Sequence, residues 1–159
     1  MASKYVVTAA HCMFYDNKPV PKSDIKVSIG DYNVSSTGET TIEKTIGVAN
    51  IFNHENYTTE GDLDFINDIT VLELEEELDL NTYTPACLAQ TSDNDTFNGK
   101  MAQVYGWGEL WCRGPYSDTL REVSVPVVSN SQCATSMKQR NKGQICAGGE
   151  DGKDSCQVT

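Results

Sequence analysis

Short runs of apolar residues, each closed by a turn-forming residue, recur from one end of this chain to the other. Ile25-Lys26-Val27-Ser28-Ile29 puts an apolar side chain at every second position and stops at Gly30. A helix would scatter those side chains around its axis, whereas a strand gathers them on one face. Tyr5–Thr8, Thr41–Phe52, Asp68–Leu74, Met101–Tyr105 and Leu120–Val128 read as further strands. Between them lie polar segments. Phe14–Ser23, with Asn17, Pro19 and Pro21, reads as a surface loop, as does Asn53–Asp64, and Thr91–Lys100 reads as a connector between two halves. The one helix expected is short, around Gln132–Met137. Many short strands with frequent turns mean an all-β barrel or sandwich.

Bulk properties narrow the functional classes. The 159 residues carry a net charge of −11, with a pI of about 4.4. Phosphate binding needs clustered Lys and Arg, so nucleic acid and anionic membrane surfaces are not expected as partners. No apolar run reaches the length of a membrane span, and the apolar stretch after Lys4 is too short for a secretory leader. Six scattered cysteines nevertheless favour an oxidising compartment. Asn33-Val34-Ser35, Asn56-Tyr57-Thr58 and Asn94-Asp95-Thr96 match the N-glycosylation acceptor pattern. Secreted-type contents without an export signal lead to the expectation of an incomplete chain.

Two stretches carry chemistry. Tyr5-Val6-Val7-Thr8-Ala9-Ala10-His11-Cys12 runs a strand into two small residues and then a histidine, where a tight turn can fix an imidazole as a general base must be fixed. Asn67-Asp68-Ile69-Thr70-Val71-Leu72 opens a later apolar strand with a carboxylate. T-A-A-H-C resembles the histidine motif of the trypsin-like serine proteases, and Asp68 matches the aspartate of their D-I-A-L-L segment, with Thr70 and Val71 replacing Ala and Leu. The resemblance implies that Asp68 accepts the imidazole N–H of His11 and orients it for acyl transfer. Asp62 and Asp64 compete by proximity but fall in a loop. His54, in Asn53-His54-Glu55-Asn56-Tyr57, matches an ordinary surface histidine of the family.

The resemblance continues through the second half. Tyr105-Gly106-Trp107-Gly108 matches the G-W-G turn, where the glycines suit a close backbone approach. Leu120-Arg121-Glu122-Val123 leads, as in the family, toward Cys133, which the resemblance pairs with Cys146 in a disulfide. Cys146-Ala147-Gly148-Gly149 and Gly152-Lys153-Asp154-Ser155-Cys156 match the approach to the specificity pocket. Asp154 would form the base of that pocket and bind a substrate Lys or Arg side chain; Ser155 would line it. The implied fold is a chymotrypsin-like double six-stranded β-barrel incomplete at both ends, with residues 1–92 in the first barrel and 93–159 in the second.

Several consequences follow from what the 159 residues lack. They contain no G-D-S-G-G-P segment with its nucleophilic serine and oxyanion donors, and no strands of the C-G-G-S-L-I type before the histidine motif. The chain as written is therefore expected not to hydrolyse peptides. Cys12, Cys87, Cys112 and Cys156 are left without their usual partners, and open sheet edges are expected to associate. Asp31, Glu39 and Glu43 surround the loop that binds calcium in some relatives. Their spacing departs from the usual one, so a solvated acidic loop is expected; no cofactor is expected, with calcium at this loop the alternative. The implied protein is an extracellular endopeptidase cleaving after Lys or Arg, its partners a polypeptide substrate or protein inhibitor. The competing reading is a non-catalytic homologue that serves as a binding or regulatory module.

Overall fold

A computed structural model describes residues 3–58, 65–88, 97–129, 131–133, 144–150 and 152–153. The strands are β1 (Tyr5–Thr8), β2 (Phe14–Tyr15), β3 (Lys18–Pro19), β4 (Lys26–Ile29), β5 (Lys44–Asn53), β6 (Thr70–Leu74), β7 (Met101–Gly106), β8 (Arg121–Val128) and β9 (Cys146–Ala147). Every pairing between them is antiparallel. The chain divides into two compact units, one of Met1–Asp31 with Thr40–Ala89 and the other of Tyr32–Glu39 with Gln90–Thr159.

The first unit is built on a four-stranded sheet in the order β1-β6-β5-β4. Along β6 the alternation is complete: Thr70, Leu72 and Leu74 are buried while Val71 and Glu73 are half-buried. On β5 the apolar phase slips, with Ile46 and Val48 two apart but Ile51 three further on. The structure accommodates the slip with a bulge at Ala49, where the β5–β6 register shifts between Val48 and Asn50. One extra residue returns Ile51 to the face that packs on the core cluster of Met13, Val48 and Leu72. The Ala49 carbonyl accepts a hydrogen bond from Lys22 Nζ at 2.6 Å, which satisfies an acceptor that the bulge displaces from the ladder.

The stretch expected to be a plain loop at Phe14–Ser23 contains more order. β2 and β3 form a hairpin whose turn residues, Asp16 and Asn17, have φ of 50° and 57°. Two consecutive left-handed residues make the turn that matches the twist of paired strands, and Asp and Asn tolerate that region better than other non-glycine residues.

The second unit carries the sheet β7-β8-β9. Val125 and Val127 of β8 are buried, with Val123 on the same face half-buried. Cys133, itself buried, is disulfide-bonded to Cys146 on β9, with Cα atoms 6.0 Å apart. Trp107 donates its indole N–H to the Tyr32 carbonyl at 3.0 Å, within the same unit. Among the described residues a Cβ at Gly106 would meet the Gly108 nitrogen at 3.9 Å, an ordinary contact distance, so no tight approach there calls for a glycine. The helix expected around Gln132–Met137 lies mostly outside the described residues.

Candidate active site

The β1–β6 register decides which side chains can meet. Thr8 pairs with Thr70, so the end of β1 lies beside the start of β6. Residues just past Thr8 and just before Thr70 must then be neighbours. Ala9 is extended and Ala10–Met13 closes into a 3₁₀ turn. Positions three apart eclipse in such a turn, and here Ala10 and Met13 are both buried while His11 and Cys12 are exposed. A larger residue than Ala10, which has no accessible surface, would not fit beneath the turn. The turn is thus pinned from below and offers the imidazole outward.

The carboxylate is delivered by an equally tight device. Phe65 and Asn67 both take left-handed backbone, with φ of 59° and 53°. Ile66 exchanges two backbone hydrogen bonds with Thr58, at 3.1 and 3.2 Å, and Asn67 Nδ2 donates to the Asn56 carbonyl at 2.9 Å. Ile69 N–H then bonds the Asn67 carbonyl at 2.8 Å, a three-residue turn centred on Asp68. Both oxygens of Asp68 point at one residue. Oδ1 accepts the His11 backbone N–H at 2.7 Å, and Oδ2 lies 2.7 Å from His11 Nδ1. A carboxylate only accepts, which assigns the ring proton to Nδ1 and leaves the lone pair on Nε2.

Neighbouring groups frame this pair. The Phe65 ring packs against the imidazole, with centroids 5.2 Å apart and planes tilted by 56°. Cys12 Sγ lies 3.6 Å from Nε2, within reach of a weak S–H···N contact. Tyr57 stacks on Phe14, and its phenol is pushed above the ordinary tyrosine range by burial first, then by the negative charges of Asp68 and Cys12. His11 and Asp68 remain open, with 44% and 20% of their side-chain surface accessible. The pair is thus not sealed from solvent. A groove of about 530 Å³ beside the β2–β3 hairpin, lined by Tyr15, Lys18, Pro19 and Pro21, contains neither residue.

The other expected residues distribute as follows. His54 sits in a turn and accepts the Asn56 N–H on Nδ1 at 3.1 Å. Asp31 accepts the Ser28 hydroxyl and Glu39 the Asn33 N–H, each at 2.6 Å, so these carboxylates brace turns. Among the described residues no group of three or more His, Cys, Asp or Glu side chains is arranged to hold a metal ion. Cys12, Cys87 and Cys112 are exposed thiols. Asp154, Ser155 and Cys156, like the competing Asp62 and Asp64, lie outside the described residues. Phe65 was not singled out from the sequence; the signal for it, an aromatic two residues before Asn67, carries no hint of the left-handed backbone that turns it onto His11.

The sequence model of the Trypsin family matches residues 1–158. This chain belongs to the trypsin family. It is 35% identical over 159 residues to the venom protease of Bombus pensylvanicus, covering 98% of this chain and 62% of that protein. It is also 35% identical over 158 residues to coagulation factor IX of Oryctolagus cuniculus, covering 97% of this chain and 54% of the relative. Among solved structures, neuropsin, a serine protease expressed in the limbic system of mouse brain, superposes with a TM-score of 0.79 at 26% identity, covering 98% of this chain and 65% of that one. The chain thus spans less than two-thirds of these relatives' length, and its fold is the chymotrypsin-like β-barrel type.

Proposed function

We propose that this chain carries the histidine–aspartate part of a trypsin-like serine endopeptidase. His11 is the general base that takes a proton on Nε2 and returns it to the leaving amine. Asp68 holds the imidazole in the Nδ1–H tautomer and stabilises the imidazolium formed in between. The observation that supports this best is the double acceptance by one carboxylate of the backbone and ring N–H groups of His11. A carboxylate used merely to cap a turn has no need of the second bond. By the match of Gly152-Lys153-Asp154-Ser155-Cys156 to the family's specificity segment, Asp154 is assigned the selection of Lys and Arg, with Ser155 beside it in sequence, because an apolar side chain would leave a desolvated carboxylate unpaired. The 159 residues contain no G-D-S-G-G-P segment, and by themselves do not cleave peptide bonds. Relatives named a venom protease and a coagulation factor, together with the Cys133–Cys146 disulfide, support an extracellular setting.

The test uses the whole gene product that contains these residues. It hydrolyses ester substrates of Lys and Arg, is labelled by a fluorophosphonate, and loses several orders of magnitude in kcat on H11A substitution. The 159-residue chain alone takes up no label. Stoichiometric labelling of that chain would show that these residues carry a reactive nucleophile of their own. A whole product that binds polypeptides but neither hydrolyses nor reacts would mark a non-catalytic homologue.

A further inference from the structure

We propose that Asn56 is an N-glycosylation site, and that Asn33, which matches the same acceptor pattern, is not. The inference rests on the secretory route proposed above, and the structure separates two sequons that look equivalent in sequence. Transfer of a glycan forms a bond between the asparagine Nδ2 and the anomeric carbon of a lipid-linked oligosaccharide diphosphate. The bond from that carbon to the diphosphate oxygen breaks, the diphosphate leaves with the electron pair, and a base of the transferase takes the amide proton. The side-chain amide must be reachable, and the folded protein must have room for the sugar.

Asn33 is the less available of the two. It is half-buried, bridges Thr119, and donates its backbone N–H to Glu39 Oε2 at 2.6 Å. Its side-chain oxygen accepts the Ser35 N–H at 3.0 Å, and the Ser35 hydroxyl that would complete the sequon donates to Asp118 at 2.6 Å. The side chain is thus held within a turn by its oxygen and partly covered, and the sequon hydroxyl is already engaged, which leaves less room for a sugar on Nδ2.

Asn56 meets both requirements. It is exposed, and the bonds it makes are through its backbone: N–H to His54 Nδ1 at 3.1 Å and carbonyl from Asn67 Nδ2 at 2.9 Å. Tyr57, next in the sequon, is held inward on Phe14, and Thr58 is held by the bridge to Ile66. The clamped backbone turns the Asn56 side chain toward solvent with threonine at the required second position after it. The Asn56 carbonyl is bonded to Asn67, the residue before Asp68, so the sugar stands beside the segment that presents Phe65 and Asp68 to His11.

The chain is expressed behind a cleavable leader in eukaryotic secretory cells, so that the route is supplied and the outcome bears on the asparagines alone. Secreted protein is treated with a glycosidase that converts a glycosylated asparagine to aspartate, and peptides are mapped by mass spectrometry. The expected result is conversion at Asn56 and none at Asn33, with loss of that glycan in the N56Q variant. An Asn56 peptide unmodified in secreted protein overturns the proposal, and so does conversion at Asn33. Either failure leaves the catalytic assignment of His11 and Asp68 untouched, since wild-type peptides are read without any activity measurement.

Discussion

At the level of single residues, the role of Asp68 comes down to how many acceptors face His11. Asn in its place keeps one carbonyl oxygen but turns the other position into an NH₂ donor. With that oxygen still on the His11 backbone N–H, the amide points a donor at Nδ1, which must then accept. The ring proton moves to Nε2 and the lone pair is lost from that nitrogen. In the D68N variant the ring ¹⁵N shifts should therefore exchange between Nδ1 and Nε2, and in the whole gene product kcat should fall by about 10⁴-fold, as tautomer reversal does in a triad of this kind. Unchanged ring shifts would mean that Asp68 does not select the tautomer. Gly30 offers a residue-scale test of the fold. Its φ is 77°, Thr40 Oγ1 donates to its carbonyl at 3.0 Å, and a Cβ would lie 2.8 Å from the Ile42 carbonyl oxygen. Backbone cannot swing aside as a side chain can, so G30A should cost roughly 1–3 kcal/mol by adding the left-handed penalty to a clash. By contrast, a Cβ at Gly47 meets the flexible end of Glu75, and G47A should cost less. Chemical denaturation of the two variants gives the comparison. The approach of Asp68 to His11 was legible only through resemblance, since T-A-A-H-C and the segment opened by Asp68 match family motifs, while a strand beside each residue would not by itself have singled it out. Phe65 and Tyr57 could not be found that way, because their positions depend on two left-handed residues and a bridge between loops.

Among the elements, the β1–β6–β5 ladder carries a charge network on its outer side. Lys4 forms an ion pair with Glu73, and Asn50 donates to the same carboxylate at 2.7 Å. The Lys4 hydrogen bond, then that of Asn50, holds the Glu73 carboxyl below its usual range, and Glu73 in turn raises the Lys4 ammonium above its own. A carboxyl lowered on folding contributes stability above its unfolded value and loses it as pH falls through the folded one. An ammonium raised on folding contributes below its unfolded value and loses it as pH rises through the folded one. The network therefore stabilises between the carboxylate range and the lysine range. E73Q should lower the melting temperature at neutral pH and converge with wild type in acid. Parallel curves at both pH values would show that the network contributes nothing to folding. The strands of this ladder were legible as apolar, β-branched runs and, for β5, as alternation, yet the bulge at Ala49 appears in sequence only as a slipped phase between Val48 and Ile51. The β2–β3 hairpin was missed because Pro19 and Pro21 argue for a loop, whereas Asp16-Asn17 supplies a turn tight enough to pair two residues on each side.

For the molecule as a whole, the balance lies between apolar sheet edges and net charge. Among the described residues the sheet of the first unit ends in β1 on one side and β4 on the other. β4 is protected in the usual way, with Lys26 and Ser28 exposed between Val27 and Ile29. β1 is not: Tyr5 and Val7 are 38% and 46% exposed, while Val6 faces the core. β7, at one edge of the second unit's sheet, likewise exposes Met101 and Tyr105 at 57% and 60%. An edge that presents both unpaired backbone groups and large apolar side chains is a template for another strand. Opposing this is a net charge of −11, which repels a second copy over a distance set by ionic strength, about 10 Å at 0.1 M salt. Added salt shortens that range and leaves the edges their attraction. The 159-residue chain should therefore sediment mainly as monomer in low salt and associate as salt is raised, the reverse of an assembly held by ion pairs. V7K places a charge on the β1 edge at a cost within about 1 kcal/mol of folding stability, and should reduce the salt-induced association without unfolding the sheet. Sedimentation velocity across a salt series decides the matter: a chain that stays monomeric throughout, or a V7K variant that associates as readily as wild type, would show that β1 is not the edge responsible.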